Sequence, residues 1–375
     1  MRVVMFCHSL ISDWNHGNAH FLRGIATELA MRGHDVRVYE DKNAWSARNL
    51  ISLCGLRAIG AFHCAYPDLK VIRYEMETLD LHDALHAADL VLVHEWNNPE
   101  LVRRIGEYRA EWGEFLLFFH DTHHRVVSAP EELSQFDLTA YDGVLAFGEA
   151  VAKAYRTRRW HDRVWTWHEA ADTRVFHQEG RSSGKSEGYE GDLVWIGNWG
   201  DDERSDELRE FLLRPVKELG LKAKVFGVRY PQHALEELKE ANIEYGGWLP
   251  NYEVPRVFAK FRMTVHVPRR PYAKTLPGTP TIRVFEALAC GIPLVSALWP
   301  DTEGLFHPGV DYLVANDGQE MVQQLAMLKQ HPRRAREMGL RGQRTILERH
   351  TCGHRVDELL AICGQISGAS RAVLV

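Results

Sequence analysis

The sequence has few of the features that would place a protein in a membrane, on nucleic acid or in an oxidising compartment. No apolar run approaches the roughly 18 residues of a membrane-spanning helix. The net charge is −6, so we expect no general nucleic-acid-binding surface. The six cysteines include no Cys-x-x-Cys pair. We therefore expect reduced thiols in a cytoplasmic protein without a transmembrane segment.

The chain also lacks the spacing of common metal sites. No His-Glu-x-x-His occurs, although there are 20 histidines. We therefore expect no metal ion and no other cofactor. One alternative stays open, a metal-dependent hydrolase built on histidines that follow two apolar runs: His94, His120, His123 and His124.

What the sequence does contain is an alternation of short apolar runs with amphipathic stretches. The length of 375 residues is typical of two domains, and 45% hydrophobic and 26% charged residues are ordinary for a globular protein. Residues 177–191 are polar and rich in Gly and Ser, which predicts a linker. We therefore expect domains at 1–176 and 192–350, with a C-terminal helix at 351–375 that could return to the first domain.

Strand and helix patterns alternate on both sides of that linker. Strands are predicted at 3–7, 35–39, 69–73, 90–94, 115–120, 143–147 and 164–167, and again at 193–196, 224–226, 243–245, 264–267, 293–297 and 312–314. Runs such as 90–93 are apolar throughout, which is typical of strands in parallel sheets buried on both faces. The pattern predicts an α/β protein with two Rossmann-like, doubly wound domains facing a cleft. Ligands bind such sheets outside the carboxyl ends of the strands.

The segment 278–297 is the most informative one. Thr279 is a good N-cap and Pro280 a good first helical residue, while Gly291 can end the helix. The start of a helix offers free N–H groups and a positive dipole end, which suit phosphate. Arg283 and Glu286 lie on the face of Thr279. The segment is compatible with a site for a diphosphate, with a ribose on Glu286. The alternative is an ordinary Thr-Pro helix start on which Glu286 is a solvated surface residue.

Other candidate residues follow predicted strands. His16, Gly17 and His20 come after the first strand, and His120 and Asp121 end the fifth. Imidazoles in such positions can polarise hydroxyls or act as bases. In the second domain the candidates are Arg204 near a helix start and the pair Trp248 and Leu249 after a short strand.

Several of these segments resemble the GT-B glycosyltransferases, in particular the CgeB-like transferases and the large retaining group 1 family that includes glycogen synthase. Residues 17–36 are similar to the first glycine loop and helix of that superfamily, and 118–121 to a strand ending in a donor-site His. Residues 245–249 resemble its nucleobase loop, and 283–296 its nucleotide-sugar helix. The resemblance covers most of the chain.

The resemblance implies a role for each matching residue. Glu286 would bind the ribose hydroxyls, and Arg204 with the backbone amides of residues 279–282 would hold the diphosphate. Gly17 would approach the phosphates from the first domain, and His120 would lie beside the transferred sugar. The remaining donor-binding residues would be Trp248 and Leu249 at the base, with Thr279, Thr281, Ile282 and Arg283 around the helix start.

The resemblance therefore implies a metal-independent transfer of a sugar from a nucleotide-diphosphate sugar to an acceptor hydroxyl. Two departures leave retention and inversion both open. Gly278 stands where the retaining family has a second Glu, and Asn198 stands where it has an Arg. If the enzyme retains configuration, no strong base is needed. If it inverts, His16 or His20 oriented by Asp121 is the candidate base.

Other functions remain as alternatives to this transfer. A nucleotide-sugar epimerase would share the fold, and a non-catalytic nucleotide-sugar-binding protein would share the binding residues. The acceptor stays open among carbohydrate, lipid, peptide and small molecule. Nucleic acid is not an expected partner.

Overall fold

Two parallel sheets organise the chain. The computed structural model describes residues 1–179 and 188–373. One unit comprises residues 1–169 and the C-terminal segment from residue 352, and the other comprises residues 170–351. Of the predicted linker, residues 180–187 lie outside the described residues.

The first unit is built on seven parallel strands in the order β3-β2-β1-β4-β5-β6-β7. The strands are β1 (Arg2–Cys7), β2 (Asp35–Asp41), β3 (Val71–Tyr74), β4 (Leu90–His94), β5 (Leu116–Asp121), β6 (Gly143–Ala146) and β7 (Val164–Thr166). The central strands β1 and β4 are buried almost throughout, as their apolar sequences predict.

Helices flank this sheet. They are α1 (Ala19–Met31), α2 (Trp45–Cys54), α3 (Arg57–Ala65), α4 (Leu81–Leu85), α5 (Pro99–Trp112), α6 (Arg125–Ser128), α7 (Pro130–Leu133) and α8 (Glu149–Arg158). The sequence did not predict α2 and α3, which Gly55 separates at a φ of +70°. The C-terminal helix α17 (Cys352–Val373) packs on α1, where Arg32 forms an ion pair with Asp357.

The second unit has six parallel strands in the order β10-β9-β8-β11-β12-β13. They are β8 (Gly191–Ile196), β9 (Ala223–Phe226), β10 (Ile243–Tyr245), β11 (Phe261–His266), β12 (Leu294–Ala297) and β13 (Leu313–Ala315). Its helices are α9 (Ser205–Leu208), α10 (Arg214–Leu219), α11 (Gln232–Glu240), α12 (Val254–Phe258), α13 (Arg270–Lys274), α14 (Ile282–Ala289), α15 (Gly318–Gln330) and α16 (Pro332–Arg349). A π-helical turn at Arg209–Leu213 joins α9 to α10, and Pro215, which has no N–H for an i→i−4 bond, follows directly.

Both sheets share one topology, and it locates the sites. In each sheet the strand order first runs outward to one edge and then continues on the other side of the first strand. The switch points lie between β1 and β4 and between β8 and β11. Ligands of doubly wound sheets bind at the carboxyl ends of the strands at such switch points. The predicted α/β class with two doubly wound sheets is confirmed. Across the described ranges, no helix is long and apolar enough to cross a bilayer.

Close packing of α16 on the end of α14 gives a test of this fold. A Cβ on Gly339 would lie 2.2 Å from the carbonyl oxygen of Gly291, the residue that ends α14 at a φ of +62°. Because both partners are backbone, Gly339→Ala should destabilise the second unit by about 1–3 kcal/mol. The matched control is Gly364→Ala in α17, where a Cβ would meet nothing within 4 Å and helix propensity favours Ala. Thermal unfolding that ranks the two variants in the opposite order would contradict this packing.

Candidate functional site

The start of α14 is the centre of the candidate site in the second unit. The helix begins at Ile282 with Thr281 in the extended N-cap position, two residues later than the cap predicted at Thr279. The predicted cap is therefore wrong in position. Thr279 has already turned its N–H to the carbonyl of Leu276, at 3.3 Å, and Pro280 has no N–H to offer.

These bonds change which amides can bind a ligand. Of the predicted set 279–282, the amides of Thr281 and Ile282 remain, and that of Arg283 joins them in the first turn of α14. No acceptor for these three amides lies among the described residues. The buried hydroxyl of Thr279 also has no hydrogen-bond partner there. A helix start with unused donors is an anion-binding arrangement.

His266, at the carboxyl end of β11, holds this helix start in place. Its Nδ1 lies 2.8 Å from the hydroxyl of Ser296 on β12, and its Nε2 lies 3.0 Å from the hydroxyl of Thr281. Burial, helped by the nearby charge of Arg204, lowers the pKa of His266 to about 3. The neutral ring therefore ties two strand ends to the N-cap of α14. The sequence analysis missed His266, because one histidine at the end of an apolar strand carries no spacing signal.

Arg204 lies beside the same helix start, and its hydrogen-bond partners among the described residues are all neutral. One Nη donates to the carbonyl of Val267 at 3.0 Å, and the other donates to the carbonyl and side-chain oxygens of Asn198 at 2.7 Å. Its Nε has no acceptor among the described residues. Burial and the positive charges of Arg269 and Arg283 lower the pKa of Arg204 to about 9. A partly buried cation without a carboxylate partner favours an anionic ligand.

Arg283 and Glu286 form an ion pair one turn into α14. The side chain of Glu286 has no exposed surface, so it is not the solvated residue that helical glutamates usually are. Arg283 is partly exposed and lines one pocket with Arg204, His266 and Thr281. The structure thus brings Arg204 together with the helix start, as an anion site requires. This arrangement can hydrogen-bond a phosphate and offset part of its charge.

Three glycine loops meet beside this pocket. The N–H of Gly227, after β9, donates to the carbonyl of Gly247 at 2.8 Å, and a Cβ on Gly227 would lie 1.9 Å from the carbonyl oxygen of Gly197. Trp248 and Leu249 directly follow Gly247 and are half-buried. They do not line the pocket of Arg204, since β10 is the edge strand two positions from β8.

The backbone at Gly278 shows why this chain has no glutamate at the position where the retaining GT-B family has its second one. Its φ is +83°, and a Cβ there would lie 2.7 Å from the hydroxyl of Thr302 and 2.8 Å from the side chain of Glu303. A glutamate at this position would be strained and crowded. The local backbone therefore requires the glycine.

In the first unit, three candidate histidines form a row of buried rings. The ring of His94 lies 5.9 Å from that of His16 and 5.4 Å from that of His120. His120 also packs between Phe21 and Trp167. Burial lowers the pKa of His120 to about 3 and the pKa values of His16 and His94 well below the usual range. These side chains are neutral hydrogen-bonding groups rather than cations.

Asp121 is not paired with His16. Its carboxylate accepts from the hydroxyl of Tyr155 at 2.8 Å and from the N–H of His123 at 3.0 Å. The Nε2 of His16 has no partner among the described residues. The predicted orientation of His16 by Asp121 is therefore wrong in this structure. His20 is buried in α1, and Gly17 lies just before the start of that helix.

A buried acidic network lies next to the histidine row. Arg125 pairs with Glu95 at 2.6 Å, and the hydroxyl of Thr122 joins Glu95 to Nε2 of His94, each at 3.1 Å. Burial, opposed by Arg125, raises the pKa of Glu95 to about 8. Throughout residues 1–179 and 188–373, no three His, Cys, Asp or Glu side chains are placed to hold a metal ion. In these ranges the structure therefore offers no metal centre that would support the alternative of a metal-dependent hydrolase.

Part of the chain is similar to a known protein family. Residues 204–361, which include Arg204 and all of α14, match a family model described as glycosyl transferase-like. No curated protein matches the sequence significantly. The match covers less than half of the chain, so it shows that these residues are similar to glycosyl transferases, while the two doubly wound sheets have the GT-B fold. The CgeB-like subtype stays a prediction.

Solved structures share the fold over nearly the whole chain. Sucrose-phosphate synthase from Thermosynechococcus elongatus is 15% identical with a TM-score of 0.64, over 98% of this chain and all of that one. HepE from Anabaena, solved with UDP and glucose, is 14% identical with a TM-score of 0.61, over 97% and 99%. An alpha-glucosyltransferase solved with UDP and a 13-mer DNA is 12% identical with a TM-score of 0.70, over 97% and 99%.

The buried neutral state of His266 predicts a pH dependence of stability. The unfolded chain binds a proton on this ring near its ordinary pKa of about 6.5, whereas the folded chain does so only near 3. The unfolded state therefore holds more protons between these values, and the free energy of unfolding falls as the pH falls from 6.5. Above 6.5 this group contributes no pH dependence.

The expected loss from His266 is about 1.4 kcal/mol per pH unit. His266→Gln, which keeps hydrogen-bonding capacity, should reduce the slope by about one proton. Denaturant titrations at pH 7, 6 and 5 measure both slopes. An unchanged slope in the variant would show that His266 is protonated in the folded chain.

Proposed function

We propose that this protein is a glycosyltransferase, which transfers a sugar from a nucleotide-diphosphate sugar to an acceptor hydroxyl. The observation that carries the proposal is Arg204, a partly buried guanidinium with neutral hydrogen-bond partners beside the unused N–H groups at the start of α14. A leaving diphosphate develops negative charge, and preorganised donors stabilise such charge most strongly where water is scarce.

The other predicted donor contacts fit a nucleotide extending along the strand ends. Neighbouring strands are about 4.8 Å apart, so the end of β10 lies about 10 Å from the end of β8. That span suits a diphosphate at Arg204 and a base near Trp248 and Leu249. Glu286, buried behind Arg283, would accept hydrogen bonds from the ribose hydroxyls. Uridine is our first choice of nucleoside, because HepE and the alpha-glucosyltransferase of this fold were solved with UDP.

We further propose that the transfer needs no metal ion. Arg204 and the positive end of α14 supply positive charge at the place where a divalent cation would otherwise be needed. Among the described residues, the carboxylate of Asp121 accepts from Tyr155 and from the N–H of His123, and from neither His16 nor His20. This argues against a base oriented by Asp121 and so favours retention of configuration. In the first unit, Gly17 would approach the phosphates and neutral His120 would position the sugar.

The assignment of Glu286 gives the direct test of this proposal. Wild-type protein should gain thermal stability with UDP or a UDP sugar, because a ligand that binds only the folded state stabilises it. Glu286→Gln should weaken UDP binding by about tenfold or more, since one charge-assisted hydrogen bond to a sugar hydroxyl is lost. Isothermal titration of UDP into both proteins measures the difference.

The matched control is Glu337→Gln, an exposed glutamate on α16 of the same unit. It should bind UDP as the wild type does. If Glu286→Gln and the wild type bound UDP with equal affinity, Glu286 would not be the residue that binds the ribose. A panel in which no UDP, GDP, TDP or CDP sugar raises the melting temperature would contradict the proposed donor class as a whole.

A further inference from the structure

Half-buried tryptophans surround the ends of β1 and β4 in the first unit. Trp45 lies 6.0 Å from Trp14 and 6.4 Å from Trp96, measured between ring centroids, and it lies 4.8 Å from His8. The ring of His16 meets His8 edge-on at 5.6 Å. We call these five side chains the aromatic box. It lies at the carboxyl ends of the central strands, where a doubly wound sheet binds ligands.

The box is held in one arrangement by buried hydrogen bonds. The hydroxyl of Ser46, in the first turn of α2, donates to the carbonyl of Trp14 at 2.8 Å and lies 2.9 Å from the hydroxyl of Ser12. The carboxylate of Glu40 accepts from the N–H groups of Leu10 and Ile11. The loop that carries Trp14 is therefore held by hydrogen bonds to Ser46 and Glu40. Such preorganisation is typical of a binding surface rather than of a mobile connection.

Two arginines next to the box, Arg125 and Arg23, are paired with carboxylates. Arg125 stacks over Trp96 at 4.0 Å and forms an ion pair with Glu95. Arg23, fully buried beneath the loop, forms an ion pair with Asp13 at 2.9 Å. Burial lowers the pKa of His8 to about 4, so its ring is neutral at physiological pH. The box thus offers aromatic faces and neutral imidazoles, which match an uncharged ligand.

We propose that the aromatic box binds a neutral saccharide as the acceptor of the transfer. A pyranose ring has one face of C–H groups, which packs on aromatic rings, and an edge of hydroxyls, which hydrogen-bond to imidazole nitrogens. The buried Nε2 of His16 has no partner among the described residues and can serve such a hydroxyl. A lipid tail would leave this nitrogen unsatisfied, and an acidic ligand would find no free cation among the groups named above.

This inference rests on the proposed function for its role as an acceptor site, but its test is separate. The full chain is titrated with methyl glycosides of glucose, galactose, mannose and N-acetylglucosamine and with their β-linked disaccharides, in the presence of UDP. Isothermal titration calorimetry records UDP binding first and saccharide binding second. At least one neutral saccharide should bind, and Trp45→Ala and Trp96→Ala should weaken its binding about tenfold or more.

The control is Trp112→Ala, an exposed tryptophan at the end of α5 in the same unit, which should bind the saccharide normally. Trp45→Phe keeps an aromatic face and should retain part of the affinity, which separates loss of stacking from misfolding. UDP affinity should be unchanged in all four variants.

Three outcomes would overturn the inference. They are no binding of any neutral saccharide while UDP binds, undiminished binding in Trp45→Ala and Trp96→Ala, and preferential binding of glucuronate or of phosphatidylcholine vesicles. Saccharide binding without UDP binding would instead support the aromatic box and contradict the proposed donor.

Discussion

The hydrogen bonds of one buried imidazole set the geometry on which the second unit's site depends. His266 joins the end of β11 to Ser296 on β12 and to Thr281 at the cap of α14. Because the hydroxyl of Thr281 is engaged in this way, it does not cap its own helix, and the first N–H groups of α14 stay available. Removing the ring would free both the cap and the strand ends that position Arg204.

The site at the start of α14 contains a positive charge that no carboxylate among the described residues pairs with. Arg283 has Glu286 as its ionic partner, whereas Arg204 bonds to amide and carbonyl oxygens in the part of the chain that the structure describes. A guanidinium in that setting costs solvation free energy that a diphosphate would recover. In the proposed sugar transfer, the same arrangement would stabilise the leaving diphosphate through fixed protein charges.

The periodic parts of the chain were predictable and the long-range contacts were not. Apolar runs predicted each strand of both sheets, and Gly291 ends α14 at a positive φ as expected. The cap moved from Thr279 to Thr281 because the Thr279 amide turns back to Leu276, a contact that a helix pattern does not encode. Trp45 was missed with α2. The partner of Asp121 is Tyr155, from a helix 34 residues later, and local sequence does not reveal such a pair.

The central claim is that the start of α14 and Arg204 receive the diphosphate of the donor. A crystal structure of the full chain with UDP tests it most directly. We expect diphosphate oxygens within hydrogen-bond distance of the N–H groups of Ile282 or Arg283 and of the Arg204 guanidinium, with the ribose hydroxyls on Glu286. UDP bound away from α14, with Arg204 keeping only Asn198 and Val267 as partners, would contradict it.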